Sequence, residues 1–348
     1  QEDAVLAWQI YREQLDLDSI DSEAYRLLAL LYLSLSVCRP GYPELAKLKG
    51  VYRKIWYQNH LKLQIASGSL ERLQNSGIYT MLLHEAALIL SELGDYGCRA
   101  IYDIHILVPT ASALSAINCL INAGWRIQKP ISNISIDFDS CVPFDSSSNQ
   151  RIFLHWRFLE GIPNHIEREF IWGNARQVQL PDGLKTYIPS PCHQLIKSCI
   201  DPVKFNNSTV LYQFTNVMLG IKMLQTSSEW DTMVELAQKS CCATHLKSIL
   251  IAAHEVVENV LPPYAIKVFS EVPRTNIEKL ETIADRSNNF PSIEKTVNRL
   301  AHYMRVVAHT NADSQNFGFV DYLKHVWQLR YSWQILRHIA SRLIKSAN

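Results

Sequence analysis

A chain of 348 residues, 47% hydrophobic and 19% charged, can bury a sizeable core and exceeds a typical single domain. Its 34 Lys+Arg against 33 Asp+Glu leave a net charge of +1, so no global field steers it toward nucleic acid or an anionic membrane, and neither is expected as a partner. Eight cysteines without a Cys-x-x-Cys spacing point to reduced thiols in a cytoplasmic protein, and the most apolar run, residues 27–37, falls short of the roughly 20 residues a bilayer span needs.

The sequence starts at Gln1 rather than Met, shows no signal peptide and leaves room for residues upstream. Residues 1–35 are helical in pattern, with Val5, Trp8, Ile10 and Leu15 ahead of a second helix that Asp21 or Ser22 would cap. Residues 44–75 carry helical spacing with a break predicted at Ser67-Gly68-Ser69. Between Gly77 and Pro109 the periodicity changes twice. Ile78 to Leu83 is short and apolar, Glu85 to Leu93 is rich in Ala and Leu, and Asp103 to Val108 alternates, which predicts strand, helix, strand. A helix over 114–123 should end at Gly124 in a left-handed cap, and Trp125 to Ile127 returns as a strand. Ser135-Ile-Asp137-Phe-Asp139 and Arg151 to Phe158 both alternate and predict an antiparallel hairpin, with Asp137 opposite Phe153. From Ser190 the pattern is helical to the end, with breaks at Pro202, at Pro262-Pro263 and over 288–291 and 311–318. The expected organisation is an N-terminal helical segment (1–75), an α/β core (76–190) and a C-terminal helical domain (191–348).

Three stretches carry a resemblance: Leu83-His84-Glu85, then Arg99-Ala-Ile-Tyr-Asp103-Ile104-His105-Ile-Leu107-Val108, then Phe153-Leu154-His155-Trp156. They resemble a bacterial nucleotidyltransferase-like family of the nucleotidyltransferase superfamily, over roughly residues 75–250. In that family the first strand runs into Leu-Lys-Gly, the second carries Arg-x-x-x-Asp-Ile-Asp-x-Leu-Val, and the third carries Asp-x-His-Trp. Arg99, Asp103, Ile104, Leu107, Val108, His155 and Trp156 match. His84 and Glu85 stand at Lys-Gly, His105 at the second Asp, and Phe153 at the third-strand Asp. The resemblance implies an α+β fold, a small mixed sheet with helices, flanked by N-terminal helices and a large C-terminal helical region. It also implies nucleotidyl transfer through two divalent metals held by carboxylates. One carboxylate of that set is kept, so this chain is read as a divergent member with a degenerate metal motif.

Residues at i and i+2 on a strand share a face. Asp103 and His105 together would ligate a softer ion such as Zn²⁺ or Mn²⁺ or form an acid–base pair; a carboxylate that merely orients a histidine is the plain structural alternative. Two ligands do not complete a metal site, so no cofactor is implied beyond a divalent metal as a candidate. Glu85 places charge and bulk where a triphosphate would lie. His84, Asp103, His105 and His155 are the candidate catalytic cluster, suited to acid–base chemistry near neutral pH, with buried core histidines as the alternative. Glu85, Arg99, Trp156 and Asp137 are the candidate substrate-binding residues. The expected function is a rebuilt active site acting on a small-molecule or carrier-bound substrate in a biosynthetic pathway. A catalytically silent binding or scaffold subunit and a metal-dependent nucleotidyltransferase are the alternatives. Finally, Tyr322, Val326, Leu329, Trp333, Leu336, Ala340 and Leu343 step by four and three, which predicts one long helix with Trp333 buried and Arg337 and Lys345 exposed. It would cover the chain's own core or, alternatively, pair in a homo-oligomer or with an acidic carrier.

Overall fold

The structure, a computed structural model, describes residue 10 and residues 22–39, 41–159, 162–200, 207–286, 291–307 and 318–337. The first of the two helices expected at the N-terminus, with Val5, Trp8 and Leu15, lies outside the described residues. Ser22–Cys38 (α1) packs on Leu45–Asn75 (α2). α2 runs unbroken through Ser67-Gly68-Ser69, against expectation. Ser69 Oγ donates back to the Ile65 carbonyl at 3.3 Å, the usual way a mid-helix serine satisfies its hydroxyl. Burial of Leu63, Ala66, Leu70 and Leu73 outweighs the roughly 1 kcal/mol an interior glycine costs.

Seven strands follow: Met81–Leu82 (β1), Ile104–Leu107 (β2), Arg126–Ile127 (β3), Cys141–Asp145 (β4), Arg151–His155 (β5), Arg176–Gln179 (β6) and Lys185–Ile188 (β7). They form one mixed sheet in the order β3-β4-β5-β2-β1-β7-β6, with β2–β5 and β1–β7 parallel and the other neighbours antiparallel. Between β1 and β2 lie His84–Leu88 (α3) and a π-helical turn, Ile89–Leu93. Ala113–Asn122 (α4) precedes β3 and closes at Gly124, whose φ of +92° is the left-handed cap its sequence predicts. Asn164–Ile166 (α5) runs into a second π turn, Glu167–Trp172, before β6. After β7 come Pro191–Ile200 (α6), Asn207–Met223 (α7), Ser227–Lys239 (α8), Ala243–Val256 (α9), Pro263–Ser270 (α10), Asn276–Arg286 (α11), Pro291–Val307 (α12) and Phe319–Val326 (α13). Among the described residues no helix is long and apolar enough to cross a membrane.

Alternation sorts the two faces of the sheet. Leu82, Ile104, Ile106, Val142, Phe144, Ile152 and Leu154 pack with α2 and α4, while Met81, Leu83 and Leu107 face the helices that follow β7. The architecture is therefore the expected α+β one, with the sheet between two helical layers.

Three local expectations are corrected. The hairpin partner of β5 is β4, so Pro143 rather than Asp137 stands opposite Phe153. Residues 136–138 form a turn instead, because the Asp139 carboxylate accepts from the Ser135 N–H and from Lys129, both at 2.9 Å. Side chains that bond their own backbone compete with a ladder. The β6–β7 hairpin was not anticipated, although its Pro181-Asp182-Gly183 turn, with Gly183 at φ +95°, is ordinary turn chemistry. The C-terminal stripe is not one helix. Gln328 adopts φ +52°, and the Leu329 N–H returns to the Lys324 carbonyl at 2.8 Å, a Schellman closure that stops α13. Trp333 is consequently 60% exposed and Leu336 73% exposed. Arg337 is exposed as expected, and Ala340, Leu343 and Lys345 lie outside the described residues.

This contrast sets a stability test. Trp156 is fully buried and its indole N–H donates to the Ile136 carbonyl at 3.0 Å, so Trp156→Ala should cost about 3–5 kcal/mol. Trp333→Ala should stay within about 0.5 kcal/mol. Denaturant unfolding of the two variants against the parent measures both.

Candidate functional site

The parallel register of β2 and β5 sets His105 beside Phe153 and Leu107 beside His155. Residues 105, 153 and 155 thus share the sheet face turned toward the C-terminal helices. The His105 ring stacks on Phe153, with centroids 4.8 Å apart and planes 5° from parallel. His105 Nδ1 and His155 Nε2 hydrogen-bond at 3.0 Å. His84, at the start of α3, meets His105 edge-on at 4.3 Å between centroids. Its φ of +55° is a left-handed conformation that costs a non-glycine residue about 1–2 kcal/mol. One nitrogen from each of the three rings lies within 4.8 Å of the others.

Burial, and then the charge of Lys197 on α6, push His84 down to about 3. His155 is held well below the ordinary histidine value by burial first, then by Lys197, His105 and His84. Both rings are therefore neutral at pH 7. A general base works best with a pKa near the operating pH, so His84 and His155 are poorer proton acceptors than the sequence alone suggests.

The other nominated residues make different contacts. Asp103, just before β2, contributes no atom to that group. Burial raises the pKa of its half-buried carboxyl, against the charges of Lys62, Arg151 and Arg26. Arg99 is fully buried, donates through Nη1 to Thr215 Oγ1 at 2.9 Å and through Nη2 to Asn216, and so ties the core to α7. Trp156 is a core side chain with no exposed surface to offer a ligand. Asp137 sits in its turn, where its charge acts on Arg157. Glu85, in the first turn of α3, acts electrostatically on Tyr102.

Two residues that sequence reasoning passed over matter more. Glu167 opens the second π turn and is 3% exposed. Its Oε1 accepts the Phe158 N–H at 2.6 Å, and its buried Oε2 has no hydrogen-bond partner among the described residues. Burial raises it to about 7, although the Phe158 N–H, Arg157 and Lys197 all favour the anion. Glu167 lines a cleft of about 490 Å³ with Tyr79, Thr110, Asn164, Trp172 and Tyr187. The available signal was its helical spacing from Ile171, which puts a carboxylate on an apolar face. Lys197 is likewise buried, its ammonium 5.6 Å above the Phe158 ring. It acts on His84, His155 and Glu167 alike, so its charge links the histidine cluster to the cleft.

Residues 22–258 match the family model described as "Uncharacterised nucleotidyltransferase", and the chain belongs to that family. Among solved structures it is similar to an antigenic nucleotidyltransferase-like protein from Paracoccidioides brasiliensis, at 12% identity, over 57% of this chain and 97% of that chain, with a TM-score of 0.32. Comparison with curated proteins gave no match. Magnesium, which nucleotidyl transfer implies, demands oxygen donors. At the positions of the three expected carboxylates this chain offers Asp103, His105 and Phe153, with Asp103 set apart from the cluster, so this donor set does not fit Mg²⁺.

The two titrating groups give pH effects of opposite sign. His84 has a folded pKa below its unfolded value, so its stability contribution is complete above about 6.5 and is lost as pH falls toward about 3. Glu167 has a folded pKa above its unfolded value of 4.5, so its contribution is complete below that value and is lost as pH rises through about 7. Glu167→Gln retains an acceptor for the Phe158 N–H and cannot ionise. Between pH 5 and pH 8 the stability difference should therefore move in the variant's favour by about 2–3 kcal/mol. Equilibrium unfolding of both proteins at the two pH values checks it.

Proposed function

We propose that this family member acts on a small-molecule or carrier-bound substrate seated in the Glu167 cleft, with Glu167 as the proton-transferring group and without Mg²⁺–nucleotide chemistry. The observation that carries this reading is the Glu167 carboxyl itself, buried at an aromatic-walled cleft with one oxygen unpartnered among the described residues and a pKa raised by burial to about 7. A carboxyl poised near the working pH is what general acid–base catalysis needs. A cleft of a few hundred cubic ångströms with few polar groups is the usual form of a small-molecule site. Support against nucleotide comes from the donor set on β2 and β5 and from Glu85 beside His84, where negative charge would meet phosphate.

Two measurements test the reading. Calorimetry should show Mg²⁺-ATP binding at millimolar level or weaker, about 4 kcal/mol or less; micromolar, Mg²⁺-dependent binding would return the chain to ordinary nucleotidyl transfer. In a thermal-shift screen of small hydroxyl- and amine-bearing metabolites, compounds that stabilise the parent should lose that effect in Glu167→Gln and Tyr187→Ala. Stabilisation that survives both substitutions would remove the cleft from the proposal.

A further inference from the structure

We infer that His84, His105 and His155 form a binding site for one zinc-class divalent ion, ligated by three imidazole nitrogens. The inference rests on the geometry of the cluster and not on the role given to Glu167.

Three imidazole nitrogens suit Zn²⁺ and its borderline neighbours and do not suit Mg²⁺ or Ca²⁺. A tetrahedral ion with Zn–N bonds of about 2.0–2.1 Å sets its ligand nitrogens about 3.3 Å apart. His105 Nδ1 and His155 Nε2 already stand at 3.0 Å, and the widest separation in the group is within 4.8 Å. Ring rotations that shift the ligand nitrogens by up to about 1.5 Å close the set. The nitrogen that donates in the His105–His155 hydrogen bond would give up that proton to the other nitrogen of its ring, a tautomer change that consumes no acid or base.

The rings are also held in place. His105 lies flat against Phe153, and His105 and His155 project from two hydrogen-bonded strands. His84 reaches the cluster from a left-handed backbone that a histidine adopts only at a cost, and such strain concentrates at functional positions. Three protein ligands leave the fourth position of a tetrahedral ion to water or substrate, the pattern of reactive rather than structural zinc sites. Lys197 opposes a cation here, so the affinity should fall below that of zinc sites backed by carboxylates.

The test uses the full chain, stripped with a chelator and titrated with Zn²⁺ alone by calorimetry, then with Co²⁺ to read the visible spectrum of a tetrahedral ion. The expected result is one Zn²⁺ per chain at micromolar affinity or tighter, undisturbed by millimolar Mg²⁺, with tetrahedral Co²⁺ absorption. His105→Ala/His155→Ala should weaken binding about 100-fold or more, and substitution of the exposed His165 should not change it. His84→Asn is the second variant should that pair fail to fold, because asparagine tolerates the left-handed backbone while removing the imidazole; it should weaken binding at least about tenfold. Absence of Zn²⁺ binding by the parent, or binding that persists unchanged in the folded variants, overturns the inference. Neither outcome bears on the cleft, whose own test substitutes Glu167 and leaves the histidines intact.

Discussion

The parallel pairing of β2 with β5 is the constraint on which the site depends. Strand side chains alternate, so a slip of one residue would send His105 into the α2–α4 core and bring Ile104 or Ile106 out in its place. Ile104, Ile106, Ile152 and Leu154 are all buried on the α2–α4 side, and each contributes about 1.5–3 kcal/mol by leaving water. Several such residues acting together hold the register firmly. The histidines on the opposite face are thus positioned by isoleucines and leucines they never touch. The Val108 N–H donating to the His155 carbonyl at 2.9 Å extends the same pairing past the end of β2.

Buried charge shapes the helical side of that face. Glu167, Lys197 and Arg157 are each less than a tenth exposed, and removing ions from water is costly unless they are paired. Arg157 and Lys197 both favour the Glu167 anion, yet burial prevails and leaves the carboxyl near 7. Burial first, and then the charge of Lys197, hold His84 and His155 below the ordinary histidine value. Burial thus moves the histidines and the carboxyl in opposite directions, His84 and His155 below the ordinary histidine value and Glu167 above the ordinary carboxylate value.

The parts legible in the sequence are those with a short-range physical signature. Alternation over 103–108 and 151–155 was readable because one face of each strand is buried, and Gly124 because only a left-handed residue suits that helix end. Alternation misled at Ser135 to Asp139, where the same pattern serves a turn closed by Asp139. The Ser67-Gly68-Ser69 break failed because tertiary packing of α2 outweighs local propensity. The C-terminal heptads were interrupted at Gln328, a left-handed position without the glycine that usually announces one. His105 and His155 could be nominated from strand periodicity. His84 could be nominated only through the family resemblance, since no periodicity brings a helix start onto a neighbouring strand. Lys197 was illegible, and Glu167 was marked only by its helical spacing from Ile171, because the burial of a charge is a property of the assembled tertiary structure.

The motif positions divide according to what else each side chain does. Arg99 joins β2's approach to α7 through Thr215 and Asn216, and its carbonyl is held by Asn59 at 2.6 Å. Trp156 fills the core and anchors the 136–140 turn through its indole and its backbone N–H. Replacing either would leave buried groups unpaired or a large cavity, each a loss of several kcal/mol. Positions 105 and 153 carry no such structural burden: their side chains lie on one face, in contact with each other. Arg99 and Trp156 are therefore fixed by hydrogen bonding and packing, while His105 and Phe153 form a stacked pair on the face turned toward the C-terminal helices.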